Sequence, residues 1–202
     1  MKFSCSIPFL LTLALSAAFC SVRWMALLWT AAAVHEGGHL LALRCMGVRL
    51  HRMCFRLSGP VLEYAERLSY GQEALLALAG PGANGVLCLA CAAANRMVPS
   101  LYWPLLCGCS LVLGLFNLLP ALPLDGGRAL QALLLYALPD RGEQVLRRIG
   151  LFSGALLVLS GIFVPGLRGN WTLPAAGCVI FFALPGKGLY TFRKKRYNNG
   201  SS

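Results

Sequence analysis

Residues 24–43 form an almost unbroken apolar run of 20 residues, about the length a helix needs to cross a bilayer, yet His35, Glu36 and His39 lie inside it. Those three side chains cost several kcal/mol in hydrocarbon unless they face a polar cavity and find partners. The run therefore has to be one helix of a bundle, with its polar face turned inward. Further apolar runs at 7–22, 74–94, 101–119, 149–164 and 171–184 supply the neighbours, which makes six expected spans. At 57% hydrophobic and 12% charged, the chain is far from the roughly 25% charge of a soluble domain and has the opposite of a disordered composition. The fold class is thus an all-α membrane protein: one polytopic domain over residues 1–192, then a basic and polar tail at 193–202.

The first run follows Lys2 and ends in small residues around Ser16, Ala17 and Ala18, as a cleaved leader would. Because the second run starts at once, we read the first as retained, the opening arm of a helical hairpin. Between spans 2 and 3 the character changes. Residues 48–64 alternate apolar and polar positions around the turn Ser58-Gly59-Pro60, which predicts a short β-hairpin at the membrane face.

A net charge of +11 raises the question of nucleic acid, but the basic residues lie between apolar runs rather than in a stripe with aromatics, so no nucleic-acid partner is expected. Threading alternate segments to opposite sides puts 15 of the 18 Lys and Arg on one side and only Arg23, Arg96 and Arg168 on the other. By the positive-inside rule both termini are cytoplasmic, the protein sits in the cell membrane, and the terminal basic run contacts anionic lipid. The nine cysteines fall mostly in apolar runs and read as small buried hydrophobes, including Cys88 and Cys91 of a CxxC pair.

His35-Glu36-Gly37-Gly38-His39 is an HExxH pattern, expected by chance on the order of once in a thousand shuffles of such a chain. On a helix the two histidines project from one face and can share one Zn²⁺, while Glu36 can act as general base on a water activated by the metal. Catalytic zinc needs a third protein ligand. Of the two aspartates, Asp140 lies in a basic surface stretch, and Asp125 is the better choice. Two prolines and two glycines around Asp125 predict a sharp turn; the competing reading makes Asp125 the N-cap of the next helix.

With the stretch Asn117-Leu118-Leu119-Pro120-Ala121-Leu122-Pro123-Leu124-Asp125-Gly126-Gly127, the chain resembles the site-2 proteases, intramembrane zinc metalloproteases marked by HExxH on one span and NxxPxxPLDGG on another. Gly80-Pro81-Gly82-Ala83-Asn84 resembles their GPxxN stretch. The compact layout and the Ser-Gly-Pro loop look most like the sporulation branch, typified by stage IV sporulation protein FB, which cleaves a precursor sigma factor. That resemblance implies zinc held by His35, His39 and Asp125, catalysis by Glu36, and Asn117 and Pro123 near the substrate strand. It further implies a bacterial membrane, for the sporulation branch the one surrounding the forespore, a membrane-tethered protein substrate and an inhibitory membrane partner. No room is expected for a CBS domain, because the chain ends about 18 residues after the last span.

Helical substrates hide their amides, so the bond has to be presented unwound, and the hairpin with Phe55 and Leu57 would pair with it by strand addition. Gly80-Pro81-Gly82 is expected to kink the third span, with Asn84 facing the bundle. Two other classes compete: a metal transporter, which would want a path of polar residues, and an idle scaffold that keeps the motif.

Overall fold

The computed structural model describes residues 2–5, 21–56, 59–64 and 68–163. The expected first and sixth spans, the tail and Leu57 lie outside the described residues, apart from the last residues of the first run.

The chain is mostly helical. Its elements in order are β1 (Lys2–Cys5), α1 (Val22–Cys45), β2 (Leu50–Arg56), β3 (Gly59–Tyr64), α2 (Tyr70–Met97), α3 (Tyr102–Asn117), α4 (Asp125–Ala137) and α5 (Gly142–Phe163). Helices α1, α2, α3 and α5 cover the second to fifth expected apolar runs. Helix α4, only 13 residues or about 20 Å long, is an addition that a count of long apolar runs passes over. Among the described residues, α2 is the helix long and apolar enough to cross a membrane; α3 is apolar but shorter.

Local chemistry sets the helix ends. Helix α1 stops where Gly47 takes φ +73°, the left-handed conformation that lets the Val48 N–H bond back to the Leu43 carbonyl. Helix α2 opens on a capping box: Ser69 Oγ accepts from the Gln72 N–H, and Gln72 Oε1 accepts from the Ser69 N–H. Pro81 lies within α2 and the helix continues through it to Met97. Pro104 falls in the first turn of α3, where its missing N–H has no helical acceptor to satisfy.

Helix α2 is the hub. It packs against α1, α3 and α4, while α1 also touches α3 and α4 touches α5. Close approach of α1 to α2 depends on Gly38, where a Cβ would run into the Ala79 backbone and Ala83; Gly37 meets nothing within 4 Å. Cys88 of α2 and Cys107 of α3 are disulfide-bonded, against the reading of the cysteines in the apolar runs as small buried hydrophobes. That pairing is between helices, 19 residues apart, and no motif spacing announces it.

The core of the bundle is mainly apolar but encloses a polar cluster, and large apolar side chains also cover its outside. His35, His39, Asn84, Ser110 and Asp125 are buried, whereas Val86, Leu89, Val112 and Leu115 face outward. A soluble domain turns fewer large apolar side chains outward and seldom buries such a cluster, so this distribution suits a lipid solvent.

The sheet has three strands in the order β1-β2-β3, β1 parallel to β2 and β2 antiparallel to β3. A bare hairpin was expected, but the N-terminal strand adds a third member. It makes β2 the central strand, so Phe55 has Cys5 as its partner on one side and Pro60 on the other. No edge remains at Phe55 for a further strand. Tyr64 at the end of β3 donates its hydroxyl to Glu73 in the first turn of α2 at 2.6 Å, tying the sheet to the hub helix.

Candidate metal centre

His35 and His39 sit one turn apart on the buried face of α1. Asp125, from the first turn of α4, meets them: His35 Nε2 is 2.9 Å from Asp125 Oδ2, His39 Nε2 is 3.3 Å from the same oxygen, and the two Nε2 atoms are 3.3 Å apart. Ligand atoms at zinc bonds of about 2.0–2.1 Å in a tetrahedron stand roughly 3.3 Å from one another, so this triangle has the size of a zinc site.

The back of each imidazole fixes its tautomer. His39 Nδ1 is 2.8 Å from the Leu76 carbonyl, which can only accept, so Nδ1 carries the hydrogen. His35 Nδ1–H donates to Asn84 Oδ1 at 3.2 Å. The Asn84 amide is assigned that way round because its Oδ1 then also accepts from the Gly114 N–H, and its Nδ2 donates to the Ala31 carbonyl. Both Nε2 atoms therefore present lone pairs to a carboxylate oxygen. Three acceptors facing one another in a buried pocket repel unless a cation lies between them, and the residues fit a divalent metal on that ground. His35, His39 and Asp125 thus form a site that could hold a metal ion.

Helix α2 lays Leu76, Gly80 and Asn84 at four-residue intervals along one stripe beside this triangle. The stripe runs antiparallel to α1, Leu76 meeting His39 and Asn84 meeting His35. Gly80 lies between, and a Cβ there would fall on the Nε2 atoms of both histidines. Its absence keeps that face of the triangle open. The sequence pattern suggested a kink at Gly80-Pro81-Gly82; the steric role of Gly80 is a separate one and needs the α1–α2 register to be seen. Helix α3 supports the stripe, with Ser110 Oγ donating to the Asn84 carbonyl at 3.1 Å.

Asp125 is the first residue of α4, not its cap. Leu124 holds the N-cap position and makes no side-chain cap bond, which leaves the Asp125 carboxylate to the histidines. Gly126 and Gly127 are helical and buried, and neither has a positive φ, so they do not serve a sharp turn. A Cβ at Gly126 would strike the backbone of Leu118 and Leu119, and one at Gly127 that of Ala121. The pair lets α4 press onto the turn after α3, and that contact carries Asp125 to α1.

Glu36, half-buried on α1, interacts electrostatically with His35, His39, Asp125 and Arg128. Asn117 closes α3 and donates Nδ2 to its own helix at the Leu113 carbonyl, 3.0 Å away; Pro123 lies in the turn leading to Asp125. Arg128, one turn along α4 from Asp125, was missing from the sequence-derived set. Its only signal was a cation directly after the aspartate-glycine-glycine stretch.

The overall arrangement is similar to the site-2 protease from Methanocaldococcus jannaschii: TM-score 0.67, 24% identity, 92% of this chain and 90% of that one covered. The fold is therefore that of a site-2 protease. Residues 92–158, which include Asp125, match the family model of peptidase family M50. A protein named as a zinc metalloprotease from Synechocystis is 29% identical over 143 residues, covering 67% of this chain and 38% of that protein. A protein named as zinc metalloprotease Rip3, from Mycobacterium tuberculosis, is 31% identical over 168 residues, covering 74% of this chain and 42% of its own length. The chain spans about two fifths of these curated relatives.

Proposed function

We propose that this chain is an intramembrane zinc metalloprotease of the M50 family, cleaving a peptide bond of a membrane-tethered protein near the cytoplasmic face. The observation that carries the reading is the triangle of His35, His39 and Asp125, with both histidine tautomers fixed so that their free lone pairs converge beside Glu36. A metal transporter would need a polar path leading away from such a site, whereas Leu27, Ala31, Leu43, Leu106 and Ala132, buried elsewhere in the core, are apolar.

His35, His39 and Asp125 would hold zinc, which supplies Lewis acidity to lower the pKa of a water and polarise the scissile carbonyl. Glu36 takes a proton from the attacking water and returns it to the leaving amide nitrogen, a role worth about 10²–10⁴-fold. Burial by α2 and α4 keeps bulk water from the carboxylates. The substrate strand would add to an open edge of the sheet; since both sides of β2 are taken, β3 replaces the Phe55 and Leu57 region in this role. Topology follows the charge split: a multi-pass membrane protein with both termini cytoplasmic. A precursor sigma factor is the substrate suggested by the likeness to the sporulation branch, and an inhibitory membrane partner would restrain the enzyme.

The test uses purified wild type and Glu36→Gln, each with one zinc per chain, on candidate membrane-tethered substrates. Cleavage by wild type alone supports the proposal. Metal uptake into vesicles without cleavage, or no cleavage by either protein, overturns it.

A further inference from the structure

We infer that Arg128 is a positioning residue that holds Asp125 to one-oxygen ligation of the metal, keeping the remaining coordination position open for water. This rests on the metalloprotease reading above and deepens it.

The two oxygens of Asp125 have different surroundings. Oδ2 stands 2.9 and 3.3 Å from the two histidine Nε2 atoms, whereas Oδ1 faces Arg128 Nη1 at 3.8 Å, an ion-pair contact longer than a hydrogen bond. The spacing of three residues along α4 puts both side chains on one helix face, so the contact is built into the helix. Arg128 is drawn in rather than splayed outward: its side chain is 19% exposed, and its charge also acts on Glu36. A guanidinium this close to a bilayer interior costs free energy unless it has a task among charges.

The chemistry gives it one. A carboxylate can bind a metal through one oxygen or two, and a second oxygen swinging in would add a fifth ligand that crowds the position a catalytic zinc keeps for water. A permanently charged guanidinium engaging Oδ1 makes that swing unfavourable. Each ligand then has one outer partner: Asn84 for His35, the Leu76 carbonyl for His39 and Arg128 for Asp125. The first two point the lone pairs; the third limits how many oxygens the carboxylate offers. Outer partners of this kind are typically worth 10–100-fold in metal affinity or activity.

The experiment compares the full chain in detergent as wild type, Arg128→Gln and Arg128→Lys, each loaded with Zn²⁺ or Co²⁺. The Co²⁺ wild type should show the intense visible band of four-coordination. Arg128→Gln should show the weaker five-coordinate band, a roughly 10–100-fold loss of zinc affinity and a fall in kcat with little change in KM. Arg128→Lys, which keeps the charge, should recover most of the affinity. A folded Arg128→Gln with the wild-type spectrum and affinity overturns the inference. Infrared difference spectra of zinc-loaded against zinc-free wild type decide the matter even if the variants do not fold: a wide splitting of the carboxylate stretches supports one-oxygen ligation, a narrow one overturns it. Wild type that takes up no zinc would instead bring down the metalloprotease reading underneath.

Discussion

Replacing Gly80 by alanine should abolish metal binding while favouring the helix that carries it. An alanine Cβ would sit 2.8 Å from His35 Nε2 and closer still to His39 Nε2, whereas ordinary contact begins at 3.4 Å. Both imidazoles must therefore retreat, His35 by about 0.6 Å and His39 by more, at least three times the tolerance of about 0.2 Å on a metal–ligand distance. Loss of these ligands should weaken zinc binding by at least about 100-fold, the upper end of what an outer-shell change costs. Intrinsic helix propensity runs the other way, because alanine is favoured over glycine by about 1 kcal/mol in a helix interior. Gly82, two residues on, has nothing within 4 Å of its virtual Cβ, so Gly82→Ala supplies the control: the same propensity gain and unchanged zinc binding. The assay is competition for zinc against a chromophoric chelator on detergent-solubilised protein, with helicity followed by circular dichroism. Gly80→Ala that is helical and holds zinc with wild-type affinity would refute the assignment of the metal to this face.

Asn84→Ala removes the acceptor for His35 Nδ1–H; zinc affinity should fall about 10–100-fold and stability by about 1–3 kcal/mol, read by chelator competition and thermal melting. Gly126→Ala forces α4 away from the turn at Leu118, so proteolysis should be lost with α1 and α2 intact, which hydrogen exchange on α1, α2 and α4 can resolve separately. Zinc removal by a chelator should lower the melting temperature of wild type and leave that of Asp125→Asn nearly unmoved, since only the former gains stability from the bound ion.

Much of the site is written locally. The HExxH spacing puts two imidazoles on one helical face whatever surrounds them, and Asp125 could be chosen because acids are so few. The neighbourhood was harder to read, since it depends on which helix crosses which. Gly80 gains its meaning only opposite His35 and His39, Gly126 only against Leu118, and Arg128 only beside an oxygen that the histidines leave free. Cys88 and Cys107 looked like any other small apolar residues because the distance between them is set by packing, not by spacing. The strand at Lys2–Cys5 is too short for alternation to reveal, yet it decides which edge of the sheet is open.

The stripe of Leu76, Gly80 and Asn84 also constrains how this protein can change its length. A single residue inserted between Leu76 and Gly80 would turn the rest of α2 by about 100° and lengthen it by about 1.5 Å. Leu76 would keep its histidine while Asn84 swung off the other, and Gly80 would yield its place to a side chain. Chains descended from a common ancestor with this one should therefore gain and lose residues freely around the turn at Ser58 and almost never in that stretch of eight peptide units, so the gap pattern in an alignment would by itself mark where the metal face lies.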